Sequence, residues 1–335
     1  MIKSYKDIKF SNYINNEPRN LIVYGTPGTG KSWGINQKKD TLFLSPDLFK
    51  RITFYNQYSY TQFIGGYKPI PIYKDLGTSN IIIDNNGKQT NKEPLISYEY
   101  VPGPFLELIL KAINNKDNNY LLIIEEINRG EAASIFGDFF QILDRNSIGE
   151  SEYRVEIEGE LKKYIISTDI DGLIKDDICK KGIYLPSNLY IWSTMNSADQ
   201  GVFPLDSAFK RRWSFEYIGL NDNEKIMDSC IANIKGIGHI KWNDFRKQLN
   251  EKLISLKVNE DKLLGPFFLK KADFINDEVF EKAFIDKVIM YLCEDCVRYK
   301  KDNLFNENTL SKIIEKYRDP NNDKSIFNFI IKEGL

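Results

Sequence analysis

Four short, mostly apolar runs recur along the chain between segments of helical periodicity: Leu21 to Tyr24, Arg51 to Phe54, Tyr120 to Ile124 and Leu189 to Ser193. Runs of this length read as strands, and their lack of polar alternation says that both faces are covered. Strands of this kind alternating with helices predict an α/β fold, a parallel sheet flanked by helices. Two stretches interrupt the alternation. Pro69 to Pro104 is rich in Pro, Asn, Gly and Tyr and predicts an insertion of irregular structure or a hairpin. Ser147 to Pro186 contains Tyr153-Arg154-Val155-Glu156-Ile157-Glu158, whose strict alternation predicts an exposed β-hairpin. From about Leu220 the pattern turns to amphipathic helices with dispersed Lys and Glu. The chain thus divides into an α/β part, 1–219, with insertions near 69–104 and 147–186, and a helical part, 220–335.

Composition narrows the function classes. At 335 residues, with 42% hydrophobic and 28% charged side chains, the chain can bury a large core and hold two domains. No apolar run approaches the roughly 20 residues that span a bilayer, and the first residues carry no apolar signal segment, so the expectation is a cytoplasmic protein with no membrane contact. A net charge of −1 excludes a general nucleic-acid coat, and any DNA binding needs a local patch or a ring of subunits. Four cysteines make no disulfide framework, and Cys293-x-x-Cys296 has no second pair to complete a zinc site. His239, the one histidine, reads as a solvated or packed residue.

Directly behind the first apolar run stands Gly25-Thr26-Pro27-Gly28-Thr29-Gly30-Lys31-Ser32, a complete G-x-x-x-x-G-K-[ST] phosphate loop. Its glycines let successive N–H groups turn inward on phosphates at the start of a helix. Lys31 reaches the β- and γ-phosphates, and the Ser32 hydroxyl is an Mg²⁺ ligand. The third run ends in two acids, Glu125 and Glu126. A strand in a parallel sheet delivers such carboxylates to the edge where ligands bind. Glu125 is the candidate for the Mg²⁺ shell and Glu126 for polarising the attacking water. The fourth run leads to Asn196, an amide that can orient that water or sense the γ-phosphate. Beyond it, Lys210-Arg211-Arg212 is either a solvated helix end or the source of an arginine finger reaching a neighbouring subunit.

In this order the motifs resemble the AAA+ superfamily, and within it the McrB-like NTPases of modification-dependent restriction systems. The acidic block Ile124-Glu125-Glu126-Ile127-Asn128-Arg129-Gly130 followed by Ser134-Ile135-Phe136-Gly137-Asp138, the sensor block Leu185-Pro186-Ser187 through Asn196-Ser197-Ala198-Asp199, the aromatic segment Phe54-Tyr55-Asn56-Gln57-Tyr58-Ser59-Tyr60 through Tyr67, and Leu264-Gly265-Pro266-Phe267-Phe268-Leu269 carry the likeness over nearly the whole chain. The resemblance implies an AAA+ P-loop domain followed by an α-helical lid. It also implies a homo-oligomeric, hexameric ring hydrolysing GTP or ATP with Mg²⁺. That ring powers DNA translocation or activates a separate McrC-like nuclease in antiphage restriction, meeting DNA directly or through its partner. Asn128, Arg129 and Asp199 are candidates for intersubunit contacts. Tyr58 and Tyr60 are candidates for a pore, against the plainer reading that they pack in the core. Glu125 in place of the usual Asp, and Gln200 where the family often has Arg, depart from the pattern. With the loop starting at Gly25, the expectation is a motor module without the DNA-recognition domain of larger relatives. A MoxR-like protein-remodelling ATPase and a nucleotide-dependent assembly switch with little turnover are the alternatives.

Overall fold

The computed structural model describes residues 17–77, 81–83, 87–196 and 202–332. Five strands form its central sheet: β1 (Asn20–Gly25), β2 (Phe49–Thr53), β5 (Tyr120–Glu125), β6 (Leu189–Asn196) and β7 (Ser214–Tyr217). They lie in the order β2-β5-β6-β1-β7, in a parallel sheet flanked by helices. The interior strands are the ones with unbroken apolar runs. Leu121 to Ile124 and Leu189 to Trp192 are fully buried, as strands covered on both faces must be. β2 lies at the edge of the sheet, half-buried, in register with β5 from Phe49 opposite Leu121 to Thr53 opposite Glu125.

Two compact units share the chain, the first built on Leu42–Trp192 and Phe203–Ser214, the second on Leu21–Thr41 and Phe215 onward. In the first, helix α2 (Pro104–Asn114) packs an aromatic cluster in which Phe63 stacks on Phe105 at 4.7 Å and Phe136 meets both edge-on. The aromatic segment belongs largely to this core. Tyr58 is half-buried and stacks on Phe54, and half-buried Tyr60 meets Phe139 edge-on. The 69–104 stretch is a hairpin: β3 (Gly65–Asp75) and β4 (Lys92–Pro102) pair antiparallel along their whole length.

The expected hairpin around Tyr153 to Glu158 is not there. The alternation is real, since Val155 and Ile157 are buried, but the only β pairing is a single bridge from Val155 to Ile183. After it the chain turns into helices α3 (Gly159–Ser167) and α4 (Gly172–Lys181). Asp171 caps α4 by accepting from the N–H groups of Leu173 and Ile174. At Tyr153 to Glu158 the alternation marks burial alone, since beyond that one bridge the segment has no strand to pair with.

In the second unit, helix α1 (Lys31–Leu42) follows the phosphate loop. The C-terminal region contains α5 (Trp242–Ser255), α6 (Asp277–Ala283) and α7 (Leu310–Arg318) around a core that includes Trp242, Phe245, Phe284 and Tyr317. It also holds a hairpin unforeseen in the pattern, β8 (Ile231–Ile234) with β9 (Gly238–Lys241). His239 is exposed on that hairpin. All four cysteines are free thiols, and burial pushes Cys293 and Cys296 up to about 11 and about 12, keeping them protonated and unreactive. No helix among the described residues is long and apolar enough to cross a membrane.

Candidate nucleotide site and arginine cluster

The phosphate loop is built by accounting for its carbonyls. Lys31 Nζ donates to the Gly25 and Thr26 oxygens at 3.0 and 2.9 Å, and Thr29 Oγ1 also donates to Thr26 O. The next two carbonyls turn to the C-terminal region, where the Gly265 N–H donates to Pro27 O at 3.1 Å and the Phe267 N–H to Gly28 O at 2.8 Å. Asn223 Nδ2 donates to Thr29 O at 2.8 Å, and the Gly34 N–H closes the first helical bond onto Gly30 O. Every carbonyl from Gly25 to Gly30 therefore has a donor, and those of Pro27 to Gly30 take theirs from beyond the loop. A loop so held directs its N–H groups inward as an anion nest. The approach on the outside is backbone on backbone: a Cβ on Gly28 (φ +75°) would lie 2.7 Å from Phe268 N, and one on Gly265 would lie 2.3 Å from the Gly28 carbonyl carbon. The Thr26 side chain is buried and its hydroxyl has no partner, a polar group left for a ligand.

Side chains fix the Leu264–Phe267 segment from behind. Trp242 Nε1 donates to Pro266 O, Asn250 exchanges two bonds with Leu264, and Arg246 donates to Leu264 O while pairing with Glu224. All three donors project from α5, so the segment and the loop it braces are tied to one helix. Sequence reading found the Leu264–Leu269 string but missed Asn223. Asn223 sits 194 residues from the carbonyl it satisfies, and no local pattern marks it.

The acids of the first unit are held differently. Glu125, at the end of β5, pairs with Arg51 of β2. Glu126 follows with φ 55° and ψ 51°, a left-handed conformation that a non-glycine residue adopts at a cost of order 1–3 kcal/mol. Strain at the second of two acids points to function rather than to packing. Glu126 lies 3.5 Å from Arg129 Nε, and Arg129 is half exposed. Asn128 is buried in the following turn, and its carbonyl accepts from the Phe203 N–H.

The two candidate finger arginines part company. Arg212 has an 8% exposed side chain, bonded to Asp144 at 2.7 Å and to Ala208 O at 2.7 Å and lying 4.1 Å over the Phe140 ring. Arg211 is exposed. Both border a cavity of about 600 Å³ that Arg19 and Arg145 also line. Arg145 donates to the carbonyls of Gly149, Pro186 and Leu189, and burial, with Arg19 nearby, pushes its guanidinium down to about 9. In the second unit Asn196 ends β6, half-buried. Asp199 and Gln200 lie outside the described residues.

A parallel α/β sheet whose first strand runs into a glycine nest and a helix defines a P-loop nucleotide-binding protein. Residues 20–213 match the AAA domain of the dynein-related subfamily, and the chain belongs to that family. It is 47% identical, over 97% of its length and 92% of the relative's, to the type II restriction enzyme BsuMI component YdiS of Bacillus subtilis (strain 168). It is 26% identical over 199 residues to the EcoKMcrB subunit of the type IV methyl-directed restriction enzyme of Escherichia coli (strain K12), a match covering 59% of this chain and 34% of that protein. The chain is an McrB-like AAA+ member, and its domain is that of a nucleotide hydrolase.

Proposed function

We propose that the chain is the nucleotide-driven motor subunit of a restriction system, acting in the cytoplasm as a ring, hexameric in the form we favour. The observation that carries this is the preformed phosphate nest, whose carbonyls from Gly25 to Gly30 all have donors. In this reading Gly25 to Ser32 hold the triphosphate of GTP or ATP, with Lys31 as the cation on its β/γ end. Ser32 and Glu125 offer the hard oxygen donors that Mg²⁺ takes, and the ion would neutralise charge developing on the phosphates. Glu126 orients the attacking water, Asn196 assists it, and Arg211, the exposed arginine, serves the neighbour's nucleotide while Arg212 holds its base in place. Residues 220–335 act as the lid. Parallel sheets bind ligands beyond the carboxyl ends of their strands, and the loop follows the carboxyl end of β1 as the acids stand at that of β5.

Kinship with two restriction-enzyme subunits supports work on DNA, either translocating it or licensing a separate McrC-like nuclease. The decisive experiment purifies the chain with its nuclease partner and measures ATP and GTP hydrolysis with and without that partner and DNA. Turnover stimulated by either supports the motor. In mixed assemblies, Arg211→Ala subunits should be rescued by Lys31→Ala subunits, because each defect lies on a different side of a shared interface. Co-assembled mixtures no more active than the separate variants would show that Arg211 does not act across subunits.

A further inference from the structure

Trp33 stands in the first turn of α1, one residue past Ser32, and is 42% exposed. The other tryptophans of the chain, Trp192, Trp213 and Trp242, are buried. Leaving an indole in water beside a phosphate loop forgoes on the order of 1–2 kcal/mol of burial, so its position there calls for a reason. Trp33 stacks on Phe267, with ring centroids 6.3 Å apart and planes within 25°. Phe267 is itself anchored, through its N–H on Gly28 O, and its ring lies over the loop, 2.9 Å from where a Cβ on Gly30 would sit. The flank beside Trp33 is open, since a Cβ added to Gly34 would meet nothing within 4 Å.

We propose that Trp33 and Phe267 form the stacking surface for the base of the nucleotide whose phosphates the loop holds, an inference that rests on the reading of Gly25–Ser32 as a triphosphate site. A base is the one part of a nucleotide with a π-face, and aromatic side chains stack on it without regard to its edge groups. Two rings, one fixed to the loop backbone and one on the helix that starts at the loop, suit a flat ligand tethered to the phosphates. Purines, with the larger face, gain more than pyrimidines. The surface supports adenine and guanine alike, so any choice between ATP and GTP falls to groups around the base edge.

The test titrates ATP, GTP and inorganic tripolyphosphate into the full chain and into W33F and W33A, by calorimetry with tryptophan emission read in parallel. Both nucleotides should quench the emission of the unaltered chain and leave that of W33F unchanged. Tripolyphosphate should bind all three proteins equally and quench none. W33A should weaken ATP and GTP by about tenfold, the scale of one lost base-stacking ring, and W33F should weaken them less. Wild-type nucleotide affinity in W33A overturns the stacking surface and leaves the phosphate site standing. Equal weakening of tripolyphosphate and nucleotides also overturns it, because Trp33 then supports the loop and not the base. Failure of the unaltered chain to bind either nucleotide removes the phosphate-site reading and the inference with it.

Discussion

The phosphate loop and the acid–arginine group are made in opposite ways. In the second unit the loop is a backbone object: six consecutive carbonyls are matched, and four of them by donors 194 or more residues away or by the next turn of helix. In the first unit the reactive groups are side chains held by ion pairs, Glu125 on Arg51, Glu126 beside Arg129, Arg212 on Asp144. A backbone nest is rigid before any ligand arrives and tolerates few substitutions. Ion-paired side chains can exchange partners, which suits groups that engage a metal, a water or another subunit in turn. The contrast predicts that damage to the loop is all-or-none, whereas damage to the ion pairs is graded.

The largest effect belongs to Lys31→Ala. The variant loses the cation for the β/γ-phosphates and also the two bonds that brace Gly25 and Thr26, so calorimetry should detect no nucleotide binding. Near-normal affinity in that variant would sink the assignment of the loop.

Gly265→Ala comes next, although it changes a residue that need not touch nucleotide. Its Cβ would be driven to 2.3 Å from Gly28 and 2.6 Å from Thr29 N, against loop backbone that cannot swing aside as a side chain can, so nucleotide affinity should drop at least about tenfold and stability by about 1–3 kcal/mol. An unaffected affinity at a lowered melting temperature would mean that the Leu264–Phe267 segment braces the fold and not the nest.

Asp144→Asn tests the ion-paired side. Arg212 would keep its place over Phe140 but face an amide, costing about 1–3 kcal/mol in chemical denaturation. Turnover should fall through misplacement of Arg211 while nucleotide binding stays intact. A variant that loses binding as well contradicts the separation of the two groups.

The smallest effect is expected from Arg51→Ala. Its pair with Glu125 is about a third exposed on the arginine side, so the stability change should stay below about 1 kcal/mol. A loss above about 2 kcal/mol would show that this edge pair secures β2 to the sheet and is not a replaceable partner for the carboxylate.

Much of this architecture is legible in the chain itself. The runs Leu21 to Tyr24, Tyr120 to Ile124 and Leu189 to Ser193 each sit inside an observed strand, because a strand buried on both faces leaves no room for polar residues. The failure at Tyr153 to Glu158 is equally physical. Alternation reports only which side chains face inward, and a strand also needs a partner, which Val155 finds in Ile183 alone. The pairing of Glu125 with Arg51 escaped for the same reason, since nothing local tells an edge-strand arginine which carboxylate its neighbour strand will bring up.

By itself the sequence determined the sheet, the phosphate loop and the two acids. Each of these rests on a local requirement: apolar runs for buried strands, glycine where the backbone must turn its N–H groups inward, carboxylates at a strand end. Only the tertiary structure decided what holds the loop from outside, which of Arg211 and Arg212 is exposed, and that Trp33 meets Phe267. Those are contacts between residues distant in the chain, or choices between adjacent identical residues, and no pattern within a window of sequence contains them.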